Sequence, residues 1–285
     1  MIERLCVIGV GLIGGSLARA LRAAGYVGEV VGASRNAAHL QKAQDLGVID
    51  HYDTDLASAV KDADMVLVSV PLGAMEAVFA AIQDALGPDA VVTDAGSAKA
   101  SVVAAVQAAT GETPAWFVPG HPIAGTEQSG VEASFPELYQ GRRVILTPTE
   151  QTDAAATRKV RAMWEAAGAV VKEMEVGHHD EVLAATSHLP HMLAFALVES
   201  LARMSEQREI FEYAAGGFRD FTRIASSDPV MWRDICVANR DALLAMLKSF
   251  RGDLDDLSAA IEKRDEDRIL AIFQDAKAAR DAFDG

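Results

Sequence analysis

Arg4-Leu-Cys-Val-Ile-Gly-Val-Gly-Leu-Ile-Gly-Gly-Ser16 reads as strand, glycine turn and helix. Apolar residues lead into Gly9, and Ser16, Leu17, Ala18, Ala20 and Leu21 continue with helical spacing. Gly9 permits the tight turn, Gly11 lets a pyrophosphate approach the backbone, and Gly14 lets helix and strand pack closely. The helix start, with Leu12 and Ile13 between the glycines, turns free N–H groups and the positive dipole end toward a phosphate. The stretch therefore predicts a dinucleotide site at Gly9, Gly11, Leu12, Ile13 and Gly14; the bland alternative is a merely tight strand-to-helix turn.

Outward from this stretch, strand and helix alternate to about residue 174. Strands are expected at 29–33, 64–70, 90–94, 116–119, 143–147 and 169–174, and helices at 37–46, 73–86, 98–108 and 153–167. This predicts an α/β Rossmann-type N-terminal domain with a mostly parallel sheet. From residue 176 no strand pattern returns. Helical patterns run over 176–204, 206–215, 229–251, 253–263 and 265–283, with Asp228-Pro229 as an N-cap followed by proline at the first helical position. The expected division is a dinucleotide-binding domain at 1–173 and an all-α C-terminal substrate and dimerisation domain at 174–285, with homodimerisation expected by fold-level analogy.

The 285 residues, half of them hydrophobic, are enough for two sizeable cores. Lys and Arg number 26 against 41 Asp and Glu, a net charge of −15. That excess argues against nucleic acid or an anionic membrane as partner, and it requires local arginine or lysine wherever an anionic substrate binds. Cys6 and Cys236 are isolated, which fits a reduced, cytoplasmic protein without a metal cluster. No signal peptide is evident, and no apolar run approaches the ~20 residues of a membrane span.

At the end of the second strand a dinucleotide fold reads the adenosine ribose, where an acidic residue selects NAD. Here the run is Gly32-Ala-Ser34-Arg35-Asn36, with no acid. Ser34 and Arg35 could hold a 2′-phosphate, which leans toward NADP; alternatively Arg35 is a solvated loop residue stacking on adenine, compatible with NAD.

Four further stretches carry residues suited to chemistry. Asp94-Ala-Gly-Ser97-Ala-Lys99 lies past a strand end, the edge where open α/β sheets bind ligands; Ser97 is either a ligand contact or the N-cap of the next helix, and the two are compatible. His121, in Gly120-His-Pro-Ile-Ala-Gly125-Thr-Glu127, sits on a rigid loop at the same edge, with an ordinary pKa near 6.5 that suits proton transfer. Glu127 is a pocket residue or a solvated loop carboxylate. In His178-His-Asp180 to Ser187-His-Leu-Pro190-His191, regular helical spacing puts Asp180, Ser187 and His191 within about 40° of one another, and His179 and His188 about 180° apart, which disfavours a metal site of several histidines. Pro190 should kink the helix and free the Thr186 carbonyl. Arg219, Arg223 and Arg233 suit carboxylate binding, unless each pairs with a neighbour such as Asp220, Asp228 or Asp234.

Taken together, Gly-Val-Gly-Leu-Ile-Gly-Gly-Ser at 9–16, Asp-x-Gly-Ser-x-Lys at 94–99, His-Pro-Ile-Ala-Gly-Thr-Glu at 121–127, Ser-His-Leu-Pro-His at 187–191 and Gly-Phe-Arg-Asp-x-Thr-Arg-Ile-Ala at 217–225 make the chain resemble the prephenate/arogenate dehydrogenase family of tyrosine biosynthesis. The resemblance spans nearly the whole chain. It implies oxidative decarboxylation with NAD or NADP, giving 4-hydroxyphenylpyruvate from prephenate or tyrosine from arogenate, with no metal. It implies His121 as the residue that deprotonates the ring hydroxyl, and Ser97 as the one that orients His121 and touches the nicotinamide side. Arg223 would bind a substrate carboxylate, His191 and Ser187 would line the pocket, Asp180 would lie near its mouth, and Glu127 could meet an arogenate amino group. The competing functions are another two-domain NAD(P)-dependent reductase, such as a β-hydroxyacid dehydrogenase or an imine reductase, and a non-enzymatic NADP-sensing module.

Overall fold

The computed structural model describes residues 1–204 and 207–283. The backbone forms two compact units, Met1–Arg240 and Asp241–Gly285.

The first unit opens with β1 (Ile2–Ile8), α1 (Leu12–Ala23), β2 (Val27–Ala33), α2 (Ala37–Asp45), β3 (His51–Asp53), α3 (Leu56–Val60), β4 (Met65–Val68), α4 (Met75–Ile82), β5 (Val91–Asp94), α5 (Lys99–Thr110) and β6 (Phe117–Val118). The strands form one parallel sheet in the order β3-β2-β1-β4-β5-β6. The chain builds outward from β1 in one direction and then restarts at β4 in the other, so the switch point lies between β1 and β4, and a ligand crevice opens beyond their carboxyl ends. Side chains along β1 alternate between the two faces, as the period of a strand requires. Leu5 and Val7 enter the core with Leu17, Leu21, Tyr139 and Trp164, whereas Cys6 and Ile8 enter the other with Phe79, Val102 and Phe117. Burial pushes the Cys6 thiol up to about 12, which leaves it an inert packing group.

The strands at the end of this region depart from the expected single alternation. β7 (Gly120–Pro122), β8 (Arg143–Leu146), α6 (Ala154–Ala166) and β9 (Val170–Glu173) build a separate sheet of order β7-β8-β9, with β7 antiparallel to β8. His121 thus lies in a strand rather than a loop. β3, only three residues long, was too short to give a periodic signal.

Helices follow. α7 (Val176–Leu183) passes through a π turn at Ala184–His188 into α8 (Leu189–Ala202), where one continuous helix was expected. The run Val176–Ala202 is, by length and composition, apolar enough to cross a membrane, contrary to the reading of the sequence. Its first part holds His179, Asp180 and His188 buried, whereas on α8 only Leu189 and Ala194 are buried. α9 (Gln207–Glu212) follows; the expected start of this helix at 206 falls outside the described residues. α10 (Gly216–Thr222) and a short 3-10 turn at Arg223–Ser226 precede α11 (Pro229–Ala238), which starts as expected with the Asp228 carboxylate accepting Met231 N–H and proline in the first turn.

The next helix, α12 (Arg240–Lys263), runs through Gly252 without a break; the interruption falls instead at Asn239. A helical glycine costs only ~1 kcal/mol, which the rest of a long helix absorbs. The second unit comprises α12 from Asp241 onward and α13 (Glu266–Phe283), joined through Arg264 at φ +55°.

Candidate active site

Gly9 takes φ +94°, and a Cβ there would lie 2.2 Å from the Ser69 carbonyl oxygen, so only glycine fits. A Cβ on Gly14 would lie 2.5 Å from the Gly9 oxygen and 2.6 Å from Val7. At Gly11 nothing lies within 4 Å, and no side chain caps α1. Two glycines are thus fixed by packing, while the third faces open space in front of uncapped N–H groups. That is the cradle a pyrophosphate needs, and a dinucleotide fits it.

At the end of β2, Arg35 is exposed and the Ser34 hydroxyl accepts Asn36 N–H. Asn36 caps α2 by accepting from His39 N–H. Asp53, in register with Ala33 at the end of β3, turns its carboxylate onto Asp55 N–H in its own turn.

β5 ends on Asp94, whose carboxylate accepts the N–H groups of Gly96 and Gly120 and the Lys99 ammonium, the last at 2.5 Å. Lys99 also donates to the Gly120 carbonyl at 2.6 Å. Asp94 and Lys99 are both fully buried. Burial pulls the Lys99 ammonium below its usual value, with Asp94 and Asp180 opposing the shift. This buried pair clamps both polar groups of Gly120, and so sets the strand that presents His121.

His121 bonds through Nδ1 to His179 Nε2 at 2.9 Å, and His179 Nδ1 bonds to Asp180 Oδ1 at 2.8 Å. The residue holding His121 is therefore His179, not the expected Ser97. Nor is Ser97 the helix cap. The N-cap of α5 is Ala98, which makes no side-chain cap bond, and the first N–H groups, those of Lys99 and Ala100, go to the two oxygens of Asp180. This also corrects the placement of Asp180 at the pocket mouth: it is buried, and both oxygens are occupied in fastening α7 to α5. His121 departs from its ordinary pKa as well. Desolvation first, then His179, Lys99 and His188, hold it well below 6.5, so it rests neutral at pH 7.

The π turn rearranges the helix face. Its wider turn brings His188 to the buried side with His179 and Asp180, where regular helical spacing had put the two histidines on opposite sides, and Ser187 is only half-buried. Asn239, the residue at which α11 ends, places Nδ2 2.8 Å from the Asp180 carbonyl and 3.0 Å from His188 Nδ1. His188 falls to about 4, chiefly by burial. Its Nε2 and the indole N–H of Trp232 are buried without a partner among the described residues. His191 stacks on Trp232 at 3.7 Å between ring centres and donates from Nδ1 to the Ser187 carbonyl. His179, His188, Trp232 and Asn239 were missed as site residues because each reads, in sequence, as an ordinary helix residue.

Arg223 and Glu127 meet as an ion pair across the chain, both solvent-accessible. The Glu127 carboxyl is held below the usual carboxylate range by its own backbone N–H and then by Arg223. The other arginines stay local: Arg233 pairs with Asp234, and Arg219 donates to the Ala214 carbonyl.

The fold holds a dinucleotide-type glycine turn after β1, a buried neutral histidine on β7 beside the end of β5, and a solvent-accessible arginine paired with Glu127. Comparison with known proteins agrees. Residues 17–173 match the family model described as prephenate dehydrogenase, nucleotide-binding domain, and residues 175–275 match prephenate dehydrogenase, dimerization domain. The cyclohexadienyl dehydrogenase of Zymomonas mobilis is 40% identical, over 98% of this chain and 95% of its own. The crystal structure of Aquifex aeolicus prephenate dehydrogenase with hydroxyphenyl propionate and NAD+ superposes with a TM-score of 0.91 at 39% identity, covering 98% of each chain. Synechocystis arogenate dehydrogenase gives a TM-score of 0.82 at 28% identity, covering 99% of this chain and 100% of its own. The chain belongs to the prephenate dehydrogenase family, NAD(P)-dependent oxidoreductases of tyrosine biosynthesis.

Proposed function

We propose that this chain oxidatively decarboxylates prephenate, arogenate or both, with His121 as the base. The observation that carries the assignment is the neutral, buried His121, held through Nδ1 so that Nε2 is left for a substrate hydroxyl. NAD(P)+, its pyrophosphate held at the Gly9–Gly14 cradle, would supply the hydride acceptor when bound. His121 takes the ring hydroxyl proton as the hydride leaves the carbon that bears the hydroxyl; the carbon–carboxylate bond then breaks, CO2 leaves, its electron pair completes the aromatic ring, and His121 returns the proton to the ring oxygen. Arg223 binds a carboxylate of the substrate, exchanging Glu127 for it; Glu127 is then placed to meet an amino group, which is how arogenate would be accommodated. Ser187 and His191 line the pocket, and Ser97 lies on the nicotinamide side.

Residues 1–173 serve as the dinucleotide-binding part and 174–285 as the substrate and dimerisation part. A homodimer is supported by the dimerization description of the matching family model and by exposed apolar residues on α8, α12 and α13. The cytoplasm suits a biosynthetic enzyme with two free thiols.

For the cofactor, Ser34 and Arg35 with no acid at the end of β2 favour tolerance of NADP. A steady-state comparison of prephenate and arogenate, each with NAD+ and NADP+, tests substrate and cofactor together; no turnover in any combination would refute the activity. An NADP+/NAD+ ratio of kcat/KM that is unchanged in Arg35→Ala would remove Arg35 from 2′-phosphate binding.

A further inference from the structure

The hydrogen bonds around His121 close into a ring. Asp94 and Lys99 hold Gly120; His121 meets His179; His179 meets Asp180; and Asp180 returns to the backbone of Lys99. The ring ties β5, α5, β7 and α7 together, and every side chain in it is buried.

The direction of each bond follows from the chemistry of its ends. Asp180 accepts two backbone N–H groups, at 2.7 and 2.9 Å, at the positive end of α5. That keeps it ionised and purely an acceptor. His179 must then donate from Nδ1 to Asp180, and a neutral His179 presents a lone pair at Nε2. Across the 2.9 Å contact a neutral His179 accepts from His121 Nδ1, whereas a cationic His179 would donate and put the His121 proton on Nε2, two outcomes that the tautomer of His121 separates. With His179 neutral, His121 has its lone pair at Nε2.

We infer that His179 and Asp180 are positioning residues that hold His121 as the Nδ1–H tautomer, with Nε2 unprotonated toward the substrate. The inference rests on the assignment of His121 as the base and extends it to how that base is prepared. The same arrangement serves the protonated state. When Nε2 takes a proton, the new charge on His121 is met through His179 by the Asp180 carboxylate, and no group has to reorient. The charged or titratable groups facing His121 are His179 from α7, Lys99 from α5 and His188 from the π turn, and all three oppose its protonation. The Asp180 carboxylate behind His179 is the counter-charge inside this otherwise unfavourable setting.

The test uses the full chain and two readouts. With histidine labelled by 15N in the imidazole ring, the His121 signals are those lost in His121→Asn, and at pH 8 the wild type should show His121 protonated on Nδ1 and not on Nε2. In the assay with prephenate and NAD(P)+, His179→Leu should lower kcat by ~10² or more, with KM for both substrates within about 3-fold. His179→Gln, whose amide oxygen accepts the Nδ1–H, should recover at least ~10-fold of that loss. His121 protonated on Nε2 in the wild type, or a His179→Leu kcat within about 3-fold of wild type, overturns the inference. If His179→Leu does not fold, the wild-type tautomer decides alone. That spectrum needs no turnover, and the parallel wild-type assay tests the dehydrogenase assignment, so failure of one is distinguishable from failure of the other.

Discussion

At the scale of single residues, the three motif glycines separate packing from binding. Gly9→Ala forces a Cβ into the Ser69 carbonyl at a φ of +94°, and should cost ~3 kcal/mol or more in urea unfolding. Gly11→Ala meets open space; its stability should change by ~1 kcal/mol or less, while the affinity for NAD(P)+ falls ~10-fold or more. An unchanged cofactor Kd in Gly11→Ala would show that this face does not receive the pyrophosphate. Arg223→Ala should raise the KM for prephenate ~10-fold with a smaller effect on kcat; an unchanged KM removes the residue from carboxylate binding. These residues were legible in the sequence because short motifs confine their backbone or charge. His179 was not. The sequence shows His178 and His179 side by side, and only the packing of α7 against α5 makes one of them the partner of His121 while the other remains exposed.

At the scale of elements, the π turn is the feature that spacing arguments missed. Regular geometry placed Asp180, Ser187 and His191 on one face and expected Pro190 to kink the helix; Pro190 sits in the first turn of α8, directly after a π turn. The chain accommodates it by widening the turn at Ala184–His188, which carries His188 inward. This has a consequence for stability. His188 ionises near 6.5 when unfolded and near 4 when folded, so between those values the unfolded chain binds more protons and stability falls as pH falls. That window lies above the range where the paired carboxylates, Asp180 among them, lose their contribution, since theirs is lost only below their ordinary values near 4. His188 alone accounts for about 3 kcal/mol of the loss between pH 6.5 and 4. Urea titrations across this range should show a shallower decline for His188→Gln than for wild type; parallel declines would mean that His188 is not held neutral.

At the scale of the molecule, the alternating half and the helical half were visible in the sequence, because strand and helix periods differ and the switch occurs once. The second sheet was not, because β7 is three residues long and its antiparallel pairing with β8 leaves no local mark. The proposed homodimer draws on apolar residues left exposed, among them Leu197 on α8, Ile261 on α12, and Leu270 and Phe273 on α13. Light scattering at micromolar concentration should give twice the 30.2 kDa chain mass, with Phe273→Glu shifted toward the single chain. A wild type of single-chain mass at that concentration contradicts the dimer. With a net charge of −15, the field of the whole chain repels an anionic substrate, so its binding needs a local cation, the role proposed for Arg223.

All three scales converge on His121, whose strand is fixed by Asp94 at the end of β5 and whose ring is held by His179 of α7. His121→Asn, assayed with prephenate and saturating NAD+ or NADP+, measures that convergence. kcat should fall by ~10² or more while cofactor affinity and unfolding midpoint stay near wild type; a kcat within about 3-fold of wild type would contradict His121 as the base.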